Sequence, residues 1–311
     1  MKNKTSYFPE VIGQASAKKK LSFLLDNYNR SNHVPNILLN APKGCGKTHL
    51  ARKMGKNLKK KFVEINCASI NSMKQFCETF LLPTVVDKDV TIHMDEASEI
   101  PKDVQMSLLT IINPEAGYKT SLPYEEAELD FDSRRQSWLF STTEAHQIFP
   151  ALKDRLKRID LQAYSQQDLQ GILALQLNKA KVKFDNKVLP EMASVVRDNA
   201  RQAVSVSKDV IDFMFGKNEK FTLEHWKQMC DALDILPLGI SPGELHLLRL
   251  IAKNPDGITV GTISSKTGMT RSSLQRDGET FLIRHDLIRV GDQSRRQATK
   301  HGLRLLEQVG D

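Results

Sequence analysis

Apolar and polar positions fall into three successive regimes along the chain. In the first, Leu21, Leu24 and Leu25 share one face of a helical pattern running from about Gln14 to Tyr28. Short apolar runs follow at 37–39, 62–65, 90–94 and 138–140, each ahead of a helix or a turn. Short buried runs alternating with helices predict a parallel sheet covered by helices, an α/β fold. From about Tyr164 the strand signals stop. Helical patterns at Gln167–Lys179, Lys187–Asn199, Gln202–Phe215 and Thr222–Leu233 predict a small all-helical domain. Pro237-Leu238-Gly239 and Ser241-Pro242-Gly243 punctuate its end. Three more helical segments precede an apolar–polar stretch, Asp286–Ala298, broken at Gly291-Asp292. Three helices and a β-ribbon are the pattern of a winged helix. The expected domains are therefore 1–163, 164–237 and 238–311.

Composition narrows the class without naming it. With 40% apolar and 26% charged residues in 311, the chain is an ordinary globular protein of two or three domains. It has no apolar run long enough to span a membrane, and no apolar segment behind its charged N-terminus to act as a signal peptide, so a cytoplasmic location is expected. Cys45, Cys67, Cys77 and Cys230 have no metal-ligand spacing and read as reduced thiols. The net charge of +8 suggests a polyanionic partner, and its distribution is uneven. Residues 1–61 carry fourteen Lys and Arg against Glu10 and Asp26, while Glu125, Glu126, Glu128, Asp130 and Asp132 form an acidic stretch.

The chemistry begins at Ala41-Pro42-Lys43-Gly44-Cys45-Gly46-Lys47-Thr48-His49, between the first apolar run and a helix. Glycines let backbone N–H groups converge on phosphate oxygens, Lys47 reaches the β and γ phosphates, and the Thr48 hydroxyl ligates Mg²⁺. The helix that starts there aims its positive end at the same phosphates. Alanine is tolerable at 41 because that position closes the strand-to-loop turn. The run at 90–94 ends in Asp95-Glu96, the arrangement in which the Asp holds Mg²⁺ and the Glu polarises the attacking water. His93, inside that run, is expected to be a hydrogen-bonded core histidine. Cys45, near a helix N-terminus, is a candidate for a lowered thiol pKa and oxidation.

At Asp95-Glu96 the arrangement resembles an AAA+ ATPase, and the resemblance assigns further roles. Thr143 in Ser141-Thr142-Thr143 matches sensor 1, and Arg155 in Pro150–Arg155 matches the arginine finger given to a neighbouring subunit. Arg201 matches sensor 2, which folds back on the γ-phosphate. Over nearly the whole chain the sequence is similar to the RuvB family of bacterial Holliday-junction branch-migration motors. Val11-Ile12-Gly13-Gln14 matches the family's segment against the adenine. Tyr118–Asp132 falls where the family carries a hairpin that docks on RuvA, its junction-binding partner. Leu282-Ile283 and Ala298-Thr299 match short stretches of its winged helix. The resemblance implies ATP and Mg²⁺ as cofactors, a homo-oligomeric ring, expected as a hexamer, and duplex DNA or a four-way junction as substrate. This chain departs at Ala41, at Cys45, at Glu144 and at Asn199-Ala200-Arg201, which lacks the family's proline. The hairpin tip, 122–126, shares little with the family, so it is a divergent member.

For DNA, the C-terminal region offers Lys266, Arg271, Arg276, Arg284, Arg289, Arg295, Arg296 and Lys300, with acidic residues interspersed. Arg271, on the expected third helix, and Arg289, Arg295 and Arg296, around the expected wing tip, are the candidate phosphate contacts. The alternative is a solvated charged face. Two other functions fit an AAA+ core: a clamp-loader ATPase, and an initiator that uses ATP to switch DNA binding. A nucleotide-binding scaffold without motor activity is a third.

Overall fold

The computed structural model describes residues 7–113, 117–197 and 199–310. The described residues form two compact units, one of residues up to 172 together with 199–205, the other of residues 173–197 together with 206–310.

The first unit begins with α1 (Ala15–Ser31), β1 (Ile37–Asn40), α2 (Lys47–Leu58) and β2 (Lys61–Asn66). Then come α3 (Met73–Phe76), which widens into π-type turns through Val85, β3 (Val90–Asp95) and α4 (Lys102–Ile111). A hairpin of β4 (Lys119–Tyr124) and β5 (Ala127–Asp132) leads to β6 (Gln136–Thr142), α5 (Pro150–Asp154) and β7 (Lys157–Asp160). The five long-range strands pair in parallel in the order β2-β3-β6-β1-β7. Alternating side chains of each strand enter opposite layers. Ile37, Leu39, Leu139 and Ile159 pack with α1 and α2, while Leu38, Ile92, Trp138 and Phe140 pack with α4 and the π-type turns. The predicted strands at 37–39, 62–65, 90–94 and 138–140 are thus all present, the first three longer by a residue or two and the last by two residues at each end. β7 has no counterpart in the predicted pattern, because only Ile159 of its four residues is buried.

α6 (Gln166–Lys179) and α8 (Ala200–Phe213) each cross from one unit to the other along the chain, with α7 (Val188–Ser194) between them and α9 (Leu223–Ala232) after. The predicted helix Lys187–Asn199 stops early, and the residues after Ser194 do other work. In the second unit the Arg197 guanidinium pairs with Glu244 (3.1 Å from Nη1 to Oε1), donates to the Gly239 carbonyl (2.8 and 2.6 Å) and stacks on Phe281 at 4.1 Å. Glu244 is also the third residue of α10 (Pro242–Ala252), where it completes a reciprocal cap with Ser241. The rest is α11 (Val260–Thr267), α12 (Arg271–Ser273) continuing through wider turns into α13 (Glu279–Arg284), an antiparallel ribbon of β8 (Ile288–Val290) and β9 (Arg296–Ala298), and α14 (Lys300–Val309). Leu248, Ile251, Ile263, Leu274, Leu282 and Leu287 fill its core.

Candidate functional site

Strand β1 delivers the loop 41–46 to the N-terminus of α2, as the motif requires. Gly44 and Gly46 have φ of +82° and +88°, conformations that an L side chain resists. A Cβ on Gly46 would lie 2.6 Å from the Tyr164 hydroxyl, and one on Gly44 would lie 2.0 Å from Asn199 Oδ1. The loop is clasped from three sides. Tyr164 donates to the Cys45 carbonyl at 3.1 Å, Gln14 Nε2 donates to the same carbonyl at 3.3 Å and to Gln162 at 2.7 Å, and the Ala200 N–H donates to the Gly44 carbonyl at 3.1 Å. Neither of the two side chains nor the Ala200 N–H follows from the loop's own sequence, although Gln14 and Ala200 both fall in stretches that the family resemblance marks.

Lys47 is buried, and its ammonium donates to the carbonyls of Ala41 (2.7 Å) and Pro42 (3.3 Å). Burial pulls its pKa down, against the raising effect of Glu96 and Asp95. The Thr48 hydroxyl is 3.4 Å from Asp95 Oδ2, so a hydroxyl and a carboxylate stand side by side as hard oxygen donors at the end of β3. That pair, with phosphate oxygens and water completing the shell, fits Mg²⁺, which keeps several waters and takes few protein ligands. When bound, the ion would neutralise charge developing on the transferred phosphoryl. Glu96 sits in the left-handed region, φ 52°, its N–H donating to Asp95 Oδ1 at 3.1 Å. It is half-buried beside the pair. Val11 is buried and its carbonyl accepts from Lys18 at 2.8 Å, while Ile12 abuts Gly171. Pro42, Lys43 and His49 are exposed around the loop.

Thr143 is half-buried just beyond β6, after Thr142, which hydrogen-bonds Ser98 at 3.0 Å. Arg201 is exposed on the first turn of α8, its N–H held by Asn199 Oδ1 at 2.8 Å. Backbone contacts thus bring residues 199–201 to the loop without engaging the Arg201 guanidinium. Arg155 follows α5, ahead of the first residue of β7, whose partner in β1 is Ile37. It therefore lies at the strand starts, opposite to the loop at the strand ends, where it donates to the Ala151 carbonyl at 3.0 Å. Arg155 is thus placed away from the loop of its own chain.

Two expectations are corrected. Cys45 is 3% exposed and burial pushes its thiol pKa up, against the lowering effect of Lys47, so the low-pKa thiol is not found. Desolvation outweighs the helix end. Arg296 is also buried, in a bidentate pair with Glu279 at 2.8 and 2.9 Å, and its Nη1 donates to the Ser294 carbonyl. It is a structural residue, not a surface contact for DNA. Arg271, Arg289 and Arg295 are exposed; Arg289 reaches Gln297 at 3.3 Å and Arg295 the Gly257 carbonyl at 3.2 Å.

Fold and site together define a P-loop ATPase, and residues 37–166 match the model of the ATPase family associated with various cellular activities (AAA). The Holliday junction branch migration complex subunit RuvB of Ehrlichia ruminantium (strain Gardel) is 24% identical over 291 residues, covering 90% of this chain and 85% of that protein. The protein of the same name from Mycoplasmopsis pulmonis is 21% identical over 308 residues, covering 97% and 96%. A solved structure of the Thermotoga maritima RuvB Holliday junction branch migration motor superimposes with a TM-score of 0.74 at 19% identity, covering 97% and 99%. The chain is thus similar to RuvB proteins, at low identity, along nearly its whole length.

Proposed function

We propose that the chain is one subunit of an ATP-driven motor that moves duplex DNA through four-way junctions. The observation that carries this is the pairing, on one RuvB-like chain, of the loop 41–48 and Asp95-Glu96 with a ribbon bearing exposed Arg289 and Arg295, 190 or so residues downstream of Glu96. Lys47 and the loop N–H groups would bind the phosphates of Mg²⁺·ATP, Glu96 would take a proton from the attacking water, and Val11 and Ile12 would flank the adenine. Arg155, on the strand-start side, would complete the site of the next subunit, which requires a ring, a hexamer in the simplest case. Such a finger contributes on the order of 10³–10⁵ in rate, so a lone subunit should turn over slowly.

The division into an AAA+ core (1–163), a helical lid (164–237) and a winged helix (238–311) belongs to this proposal. Thr143 and Arg201 would report the phosphate state to the lid. Arg271, Arg289 and Arg295 would hold phosphates without reading bases, as a translocating motor requires. The hairpin 118–132 would dock a RuvA-like junction-binding protein, and the whole would work in the cytoplasm. Among the described residues no helix is long and apolar enough to cross a membrane.

The test is ATPase activity against protein concentration, with and without a four-way junction, alongside a strand-exchange readout. The motor predicts activity that rises with assembly, is stimulated by DNA and separates junction arms. Sequence-specific footprints with negligible turnover would instead identify an initiator-type switch.

A further inference from the structure

His93 is fully buried in β3 and has no role in the chemistry above. The sheet register places it with the metal-binding pair. Asp95 lies opposite Ser141 on β6, and His93 lies opposite Glu64 on β2 and Leu139 on β6. Residues two apart on a strand share a face, so His93, Asp95 and Ser141 all face α2. Leu139 packs in the α2 layer, and Thr48 reaches Asp95 from α2 itself.

Their hydrogen bonds form a chain. His93 Nε2 is 3.0 Å from Ser141 Oγ, the Ser141 hydroxyl donates to Asp95 Oδ1, and Thr48 faces Asp95 Oδ2. Counting protons fixes the direction of each link. A carboxylate can only accept, and a serine hydroxyl owns one proton. That proton is committed to Asp95, so Ser141 can receive only a donor from the ring, and Nε2 must carry a hydrogen. The other nitrogen, Nδ1, lies 3.5 Å from Glu64 Oε2. Glu64 is itself turned to Arg52, at 3.2 and 3.3 Å.

We propose that His93 is a positioning residue: through Ser141 it fixes Oδ1 of Asp95, so that Oδ2 is left beside Thr48 to receive Mg²⁺. This rests on the nucleotide-site reading above. His93 supplies the fixed donor, Ser141 relays it, and the carboxylate loses the freedom to rotate out of the plane that faces Thr48. Outer partners of metal ligands act in this way, and losing one typically costs about 10–100-fold in metal affinity.

The experiment measures binding of a fluorescent ATP analogue as Mg²⁺ is titrated, and again with Mg²⁺ chelated, so that hydrolysis is not needed. Ser141→Ala and His93→Phe should each raise the half-saturating Mg²⁺ concentration by about 10-fold or more, with binding in chelator unchanged. The double variant should be no worse than either, because both cut one chain. His93→Gln, which keeps an N–H donor, should restore most of the effect. In the unsubstituted protein, ¹⁵N-histidine spectra should show His93 as the Nε2–H tautomer, a result that does not depend on any variant folding. An Nδ1–H tautomer, or an unchanged Mg²⁺ requirement in Ser141→Ala, overturns the positioning role alone. If the unsubstituted protein binds no nucleotide with or without Mg²⁺, the nucleotide-site reading falls with it.

Discussion

Removing the Arg296 side chain separates two roles that a basic ribbon can hide. The guanidinium and the Glu279 carboxylate are 8% and 3% exposed and joined by two short bonds. Taking away one partner leaves a desolvated charge alone, which costs about 3–5 kcal/mol, whereas replacing both with apolar groups is close to neutral. For a unit of this size that loss lowers the melting temperature by roughly 10–20 °C. Arg296→Met should therefore destabilise the second unit by that amount in thermal or urea unfolding followed by circular dichroism. Glu279→Leu with Arg296→Met should recover to within about 1 kcal/mol, at unchanged net charge. The same double variant then reports on DNA. Each lost phosphate contact reduces the slope of log K against log salt by about 0.9. Arg289→Ala and Arg295→Ala should each do so, and the folded double variant should not. A double variant whose slope falls by about one unit would put Arg296 on the phosphate backbone and refute its structural role. A cost under about 1 kcal/mol for Arg296→Met would refute the burial argument itself.

Four further outcomes follow from the same structure. Gly46→Ala should abolish nucleotide binding in calorimetry, because the left-handed backbone and the Tyr164 hydroxyl 2.6 Å from the new Cβ leave it no room. Lys47→Ala should lose nucleotide binding as well, while Glu96→Gln should bind ATP and turn it over at least about 100-fold more slowly, the size of a general-base contribution. Lys60 is held by the Arg134 carbonyl at 2.6 Å and Ser137 at 3.0 Å, and burial brings its pKa down to about 8. The unfolded chain then binds the extra proton between about pH 8 and 10.4, so this group makes stability rise with pH across that window, and Lys60→Met should flatten the rise in urea titrations.

The parts legible in the sequence were those with a local cause. The glycines of the loop, the carboxylates after β3 and the alternation of short apolar runs with helices each depend on neighbours a few residues away. What escaped depends on register and on distant packing. Tyr164 and Cys45 are 119 residues apart, and Asn199 reaches Gly44 only once α8 is in place. The Ser141–Asp95 link needs the order β3-β6, which no periodicity reveals. β7 hid because an edge strand with three exposed residues in four carries almost no apolar signal. Arg295 and Arg296 look alike as residues, yet Arg295 ends the turn before β9 while Arg296 opens the strand, and a buried glutamate 17 positions upstream pairs with Arg296 alone.

The tie from Arg197 to Glu244, Gly239 and Phe281 has a mechanical meaning. It fastens the end of the α7 segment to the first turn of α10, inside the same compact unit that bears the ribbon β8–β9. In the proposed motor, a ribbon on a loose tether would lose each stroke to thermal wandering of the tether. Bolted on by a bidentate ion pair, two bonds to one carbonyl and a stacked ring, it would behave as a crank arm keyed to its shaft. The length of a step would then be set by the arm's radius and the angle it turns, and slack would contribute nothing.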